Sequence, residues 1–99
     1  MRVIEKEMLE AIKHGRNWSK ANTRVEVDAG YRSYVADVYL HGHHIAEVFC
    51  RMGCDDTVKV NRETLARWPT VTTKSRLRAL GADVYTKNHI TYLDGEAVD

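Results

Sequence analysis

Residues 70–81, reading TVTTKSRLRALG, carry the spacing most suggestive of chemistry, because they write a short helix that opens on a cation. Pro69 stops whatever precedes it, Thr72 or Thr73 can cap the new helix, Leu77 and Leu80 form an expected buried pair, and Gly81 suits the left-handed residue that ends it. Lys74 then falls in the first turn, beside the positive end of the helix dipole. That placement costs about 0.3–1 kcal/mol unless an anion is shared among the lysine, the threonine hydroxyls and free backbone N–H groups. The chemistry on offer is the binding of a phosphate or a carboxylate. The plainer alternative is a solvated lysine that tolerates the cost.

Around this helix Arg62, Arg67, Lys74, Arg76, Arg78 and Lys87 are denser than basic residues elsewhere and alternate with Trp68, Tyr85 and Tyr92. Such a mixture can hold a nucleic-acid backbone, and on a helical wheel Lys74 and Arg78 share an exposed face. Two short helices followed by a hairpin also have the order of a winged helix-turn-helix, although the spacer WPTVTT is longer than a tight turn. A second surface is aromatic. Tyr31, Tyr34 and Tyr39 cluster in one segment, a residue type favoured at protein interfaces, with cross-strand packing as the competing explanation.

Catalysis and metal binding find less support. His41, His43 and His44 precede Cys50 and Cys54, but three residues separate the cysteines and no second ligand pair follows elsewhere. No metal and no cofactor are therefore expected, while whether His41, His43, Cys50 and Cys54 bind zinc is left open. Asp55 and Asp56 beside Cys54 disfavour a reactive thiolate, and no nucleophile elbow or glycine-rich phosphate loop occurs. No catalytic residue is expected, and the chain is not expected to be an enzyme. The partner- or anion-binding candidates are Thr72, Thr73, Lys74, Arg76, Arg78, Arg67, Lys87, Tyr34 and Tyr39.

These side chains need a scaffold, and 99 residues suffice for one domain with one core, residues 1–99. Fifteen Lys and Arg against fourteen Asp and Glu leave a net charge of +1, so neither an acidic nucleic-acid mimic nor a strongly basic coat is implied. The chain starts on an amphipathic pattern instead of a secretory signal and has two cysteines, which points to a reducing, cytosolic setting. No apolar run is long enough for a bilayer. Membrane partners are not expected.

In residues 1–14, Ile4, Met8, Ala11 and Ile12 recur at helical spacing with Leu9 at the edge, and Gly15 is the expected cap. Residues 16–22 read as a loop whose Trp18 folds back onto the core. Alternation then marks a strand at Val25 and Val27, and a second with Ala36, Val38 and Leu40 on one face and Val35, Asp37 and Tyr39 on the other. His41–Gly42 turns the chain into a third strand, residues 45–49, and Val58 and Val60 suggest a fourth. Asn61 caps a brief helix ending at Trp68. After residue 81 come strands at 84–87 and 90–93, then an Asp94–Gly95 turn and a last short strand or frayed end. The expected class is α+β: an N-terminal amphipathic helix packed on an antiparallel β-meander, two short helices and a C-terminal β-hairpin.

The segments GRNWSKANTRVEV, YLHGHHIAEV, WPTVTTKSRLRALG and ADVYTKNHITYLDG together resemble a group of small accessory open reading frames of tailed bacteriophages. The resemblance spans nearly the whole chain and carries no catalytic assignment. It implies a virus-encoded accessory protein acting in the host bacterial cytoplasm, in host takeover or against host defence. The expected activity is the binding and inhibition or modulation of a host or defence protein complex. The alternative is a DNA- or RNA-binding module built on the basic helix, and an open strand edge would allow a homodimer.

Overall fold

Alternating apolar positions build the larger layer. In the computed structural model, which describes residues 1–98, five strands pair antiparallel in chain order. They are β1 (Trp18–Lys20), β2 (Thr23–Ala29), β3 (Ser33–Leu40), β4 (His43–Arg51) and β5 (Thr57–Val60). One face buries Val25, Ala36, Val38, Leu40, Val48 and Cys50. The other carries Arg24, Glu26, Asp37, Tyr39, Glu47 and Lys59, as the period of two requires. Helix α1 (Val3–Lys13) lies on the apolar face, with Met8 and Ile12 joining Val25 and Val38 in the core.

Two short helices, α2 (Arg62–Arg67) and α3 (Val71–Ala79), lead to a separate three-stranded sheet of β6 (Val84–Lys87), β7 (Ile90–Leu93) and β8 (Glu96–Ala97). Leu65, Leu77, Val84 and Leu93 belong to the same buried cluster as the large sheet, so both layers share one core. The α+β class is thereby seen, with the terminal hairpin extended by a third strand.

Turn chemistry fixes the registers. Ala21–Asn22, His41–Gly42, Asn88–His89 and Asp94–Gly95 each have two consecutive positive φ angles and join strands through two-residue loops. This is the conformation whose twist matches antiparallel strands. The segment expected as a loop around Trp18 is therefore a strand: the Ala21–Asn22 turn pairs Trp18 with Val25. Alanine is a poor turn signal, and it hides the hairpin in the sequence. Trp18 still packs on the core as expected.

Both long helices end in the same way. Gly15 and Gly81 sit at φ +62 and +100, and the N–H groups that follow reach back to Ala11 and Leu77. The left-handed residue and the paired backbone bonds make a Schellman cap. At its start, α3 differs from expectation. Thr70, not Thr72 or Thr73, is the cap, its hydroxyl accepting from the Thr73 N–H at 3.1 Å. The helix thus begins earlier, and Lys74 becomes its fourth residue.

One irregularity matters for the outer face. Val38 pairs with Ala46 but Tyr39 pairs with His44, so Ile45 is an extra residue on β4. Ile45 and Ala46 are both buried, and the bulge returns Glu47 to the outer face three residues after His44. A regular strand would separate them.

Candidate functional site

The basic residues of α3 have three different fates. Arg76, expected on a contact surface, is instead 4% exposed, because Thr73, Arg76 and Leu77 form the inner face of α3. Its Nη1 donates to Glu5 Oε2 at 2.7 Å and its Nε to Thr23 Oγ1 at 3.1 Å, while Ser75 Oγ donates to the same carboxylate. Burial pushes the Glu5 carboxyl up, but the bonds from Ser75, Arg76 and the Arg2 backbone, with the charge of Arg76, outweigh it and hold the group below its ordinary value. The α1 stripe accordingly buries Glu5, whereas Ile4 is only half-buried.

Thr73 is corrected likewise. It is buried, and its hydroxyl lies 2.9 Å from that of Thr70, closed to any anion. Thr72 is half-buried. Lys74 Nζ donates to Thr86 Oγ1, and Arg78 Nη1 donates to the Val84 carbonyl at 3.2 Å. Both cations therefore clasp β6, although Arg78 is exposed enough to present its remaining donors. Arg67 is exposed, with Nη2 3.5 Å from Glu63, and Lys87 is exposed on the small sheet. Among the described residues, these groups do not gather into a common anion site. Lys87 lies on the small sheet, where Tyr85 and Tyr92 stack at 5.1 Å.

Strand parity separates the two tyrosines. Tyr34 points inward, half-buried, and its hydroxyl donates to the carbonyls of Ile12 and Lys13 at the end of α1. Burial, reinforced by the Cys50 thiol, pushes its pKa up to about 12. The same burial raises the Cys50 thiol, which donates to Val48 O. Tyr39 lies on the outer face beneath the Arg24 guanidinium, 4.4 Å from its ring centroid, and edge-on to His44. Burial and the charges of Asp37 and Glu26 raise its pKa.

An exposed apolar surface lies at the other end of the sheet, away from most of the residues nominated from the sequence. Tyr31 and Met52 are 86% and 78% exposed, and Phe49 is also exposed beside its cross-strand partner Val35. Together with Arg32 and Arg51 they line a cleft of about 630 Å³. The Arg32 guanidinium stands over the Tyr31 ring at 5.3 Å, and the Met52 N–H donates to the Arg32 carbonyl, tying the two loops together. Outward parity at Val35 and Phe49 was the available signal, since apolar residues on a solvated face stand out against Asp37 and Glu47.

Among the described residues, the cysteines and histidines considered for zinc form no group of three with ligand spacing. Cys50 is buried, Cys54 is exposed, and His43 stacks on Trp68 with centroids 4.7 Å apart. A different group has ligand spacing: Asp37, His44 and Glu47 offer atoms within 4.8 Å of one another. The bulge at Ile45 assembles it. His44 Nε2 lies 3.0 Å from Asp37 Oδ1, and Nδ1 lies 3.3 Å from Asn61 Nδ2.

Over residues 1–99 the chain matches the family model described as Kyanoviridae Gp96 protein. No curated protein and no solved structure matches it.

Proposed function

We propose that this chain, which belongs to the Kyanoviridae Gp96 protein family, binds a bacterial host or defence protein complex and modulates or inhibits it without enzymatic activity. The family makes it a phage accessory protein. What supports the finer reading is the cleft at the β3–β4 end: exposed Tyr31, Phe49 and Met52 flanked by Arg32 and Arg51. Aromatic, methionine and arginine side chains are the types enriched where interfaces concentrate their binding energy. Arg32 already rests on the Tyr31 ring, so part of the ordering cost is met before any partner arrives. The mechanism is occupation of a partner surface in the host cytoplasm. Among the described residues no helix is long and apolar enough to cross a membrane.

Capture of the tagged protein from infected bacteria tests this, with nuclease added and with a Tyr31→Ser, Met52→Ser variant in parallel. A stoichiometric protein that survives nuclease and is lost with the variant supports the reading. Equal capture by both proteins would reject this cleft as the contact. A second copy of the chain, the expected homodimer, is recognised in the same experiment by co-expressing two tags.

A DNA- or RNA-binding role rests on one observation of its own, the Tyr85–Tyr92 stack beside Lys87 with Arg78 nearby in sequence on α3. Stacked aromatics with cations suit single strands. Arg76 is lost to the core in this alternative, which expects salt-sensitive binding that weakens when Arg78 and Lys87 are replaced together.

A further inference from the structure

We infer that Asp37, His44 and Glu47 form a binding site for a divalent transition-metal ion of the zinc type on the outer face of the large sheet. Charge is the first reason. Asp37 and Glu47 stand directly opposite each other on β3 and β4, a like-charge pair that destabilises a sheet unless a cation lies between. Lys59 stands opposite Glu47 on β5, but among the described residues no Lys or Arg closes to ion-pair distance with either carboxylate; the ion-paired cations go to Glu5, Glu7, Glu26, Glu63 and Glu96. The group that does approach is His44, and the three side chains are each half-buried, held but reachable. Two carboxylates and one imidazole, with ligand atoms within 4.8 Å, are a donor set for zinc or manganese. All three project from the same sheet face, so the positions toward solvent stay open for water or a partner's side chain.

Asn61 controls the site. Its Oδ1 accepts from the Thr64 N–H at 3.1 Å, which leaves its NH₂ facing His44 Nδ1. Nδ1 is therefore the bare acceptor, and Nε2 carries the proton donated to Asp37. A metal ion taking Nε2 requires the other tautomer: Nε2 gives up its proton, Nδ1 takes one, and the ring stays neutral with no net release. Nδ1–H then opposes the Asn61 NH₂. Relief comes when the amide turns its oxygen to His44, which frees the Thr64 N–H and weakens the start of α2. Metal loading and the α2 cap are thus in competition through one side chain. An aspartate at position 61 removes the conflict, since one oxygen can cap Thr64 while the other accepts from His44.

Zinc titration of the full chain by calorimetry, with nitrogen NMR of the histidine rings, tests this. The expected result is one Zn²⁺ per chain, transfer of the His44 ring proton from Nε2 to Nδ1 and no net proton release. Asn61→Asp should tighten binding by about 10-fold or more, and Asp37→Asn with Glu47→Gln should weaken it about 100-fold. A Mn²⁺ preference over Zn²⁺ would revise the ion and overturn the zinc assignment. Absence of binding in both the native chain and Asn61→Asp overturns the site. So does binding that survives the double carboxylate variant and vanishes with His43→Ala and Cys54→Ser. Asn61→Asp keeps the test decisive should the double variant fail to fold.

Discussion

Glu5 and Arg76 show how far a charged residue's role depends on what lies across from it. Arg76 beside Leu77 reads as a surface cation in the sequence, but α3 crosses α1 where Glu5 is buried, and the guanidinium turns inward. Removing one partner leaves a buried charge, so Glu5→Gln should lower stability by about 3–5 kcal/mol in chemical denaturation. The carboxyl is held below its ordinary value near 4.5, so its contribution is complete above that pH and is lost as pH falls through the folded value. Glu5→Gln should therefore flatten the acid limb of the stability profile. Tyr34 acts at the opposite end. Its pKa, raised from 10 to about 12, gives stability that is present below pH 10 and lost as pH rises toward 12. Tyr34→Phe should remove that alkaline loss and cost about 1 kcal/mol at neutral pH, the worth of a hydrogen bond to the end of α1.

At the scale of elements, the pattern of the chain reveals more than its individual contacts. Asn61 as the α2 cap, the His41–Gly42 turn and the glycine ends of α1 and α3 follow from local rules and are present. The start of α3 does not follow so directly, because TVTT offers three threonines and only packing chooses among them. Burial of Thr73 against the core brings its hydroxyl onto Thr70 and selects the earlier cap. Thr70→Ala should cost about 1 kcal/mol of stability, while Thr72→Ala should stay within about 0.5 kcal/mol, both read from melting curves. Gly81→Ala should be destabilising as well, since φ +100 strains any other residue. The bulge at Ile45 is illegible for a related reason. Strand alternation gives faces only while the register is regular, and one added residue brings His44 beside Asp37 and Glu47.

For the whole molecule, a near-zero net charge makes particular surfaces matter more than long-range electrostatics, and the fold sorts those surfaces. The α3 cations go to the core and to β6, the two candidate tyrosines to opposite faces, and Tyr31, Phe49 and Met52 to one open cleft. Phe49 is legible only through its outward strand parity, and Met52 not at all, because neither has distinctive chemistry alone. Strand β4 places Phe49, while Met52 is brought to Tyr31 by loops that meet through a backbone bond between Met52 and Arg32 that no sequence pattern announces.

If this cleft contacts a protein, site-specific photo-crosslinking in infected bacteria will trap that protein whatever its identity. A photoreactive phenylalanine derivative replaces Tyr31 in one strain and Lys87 in another. The predicted result is a discrete protein adduct from position 31, resistant to nuclease, and none from position 87. Adducts from position 87 alone, or adducts that dissolve on nuclease treatment, would contradict it.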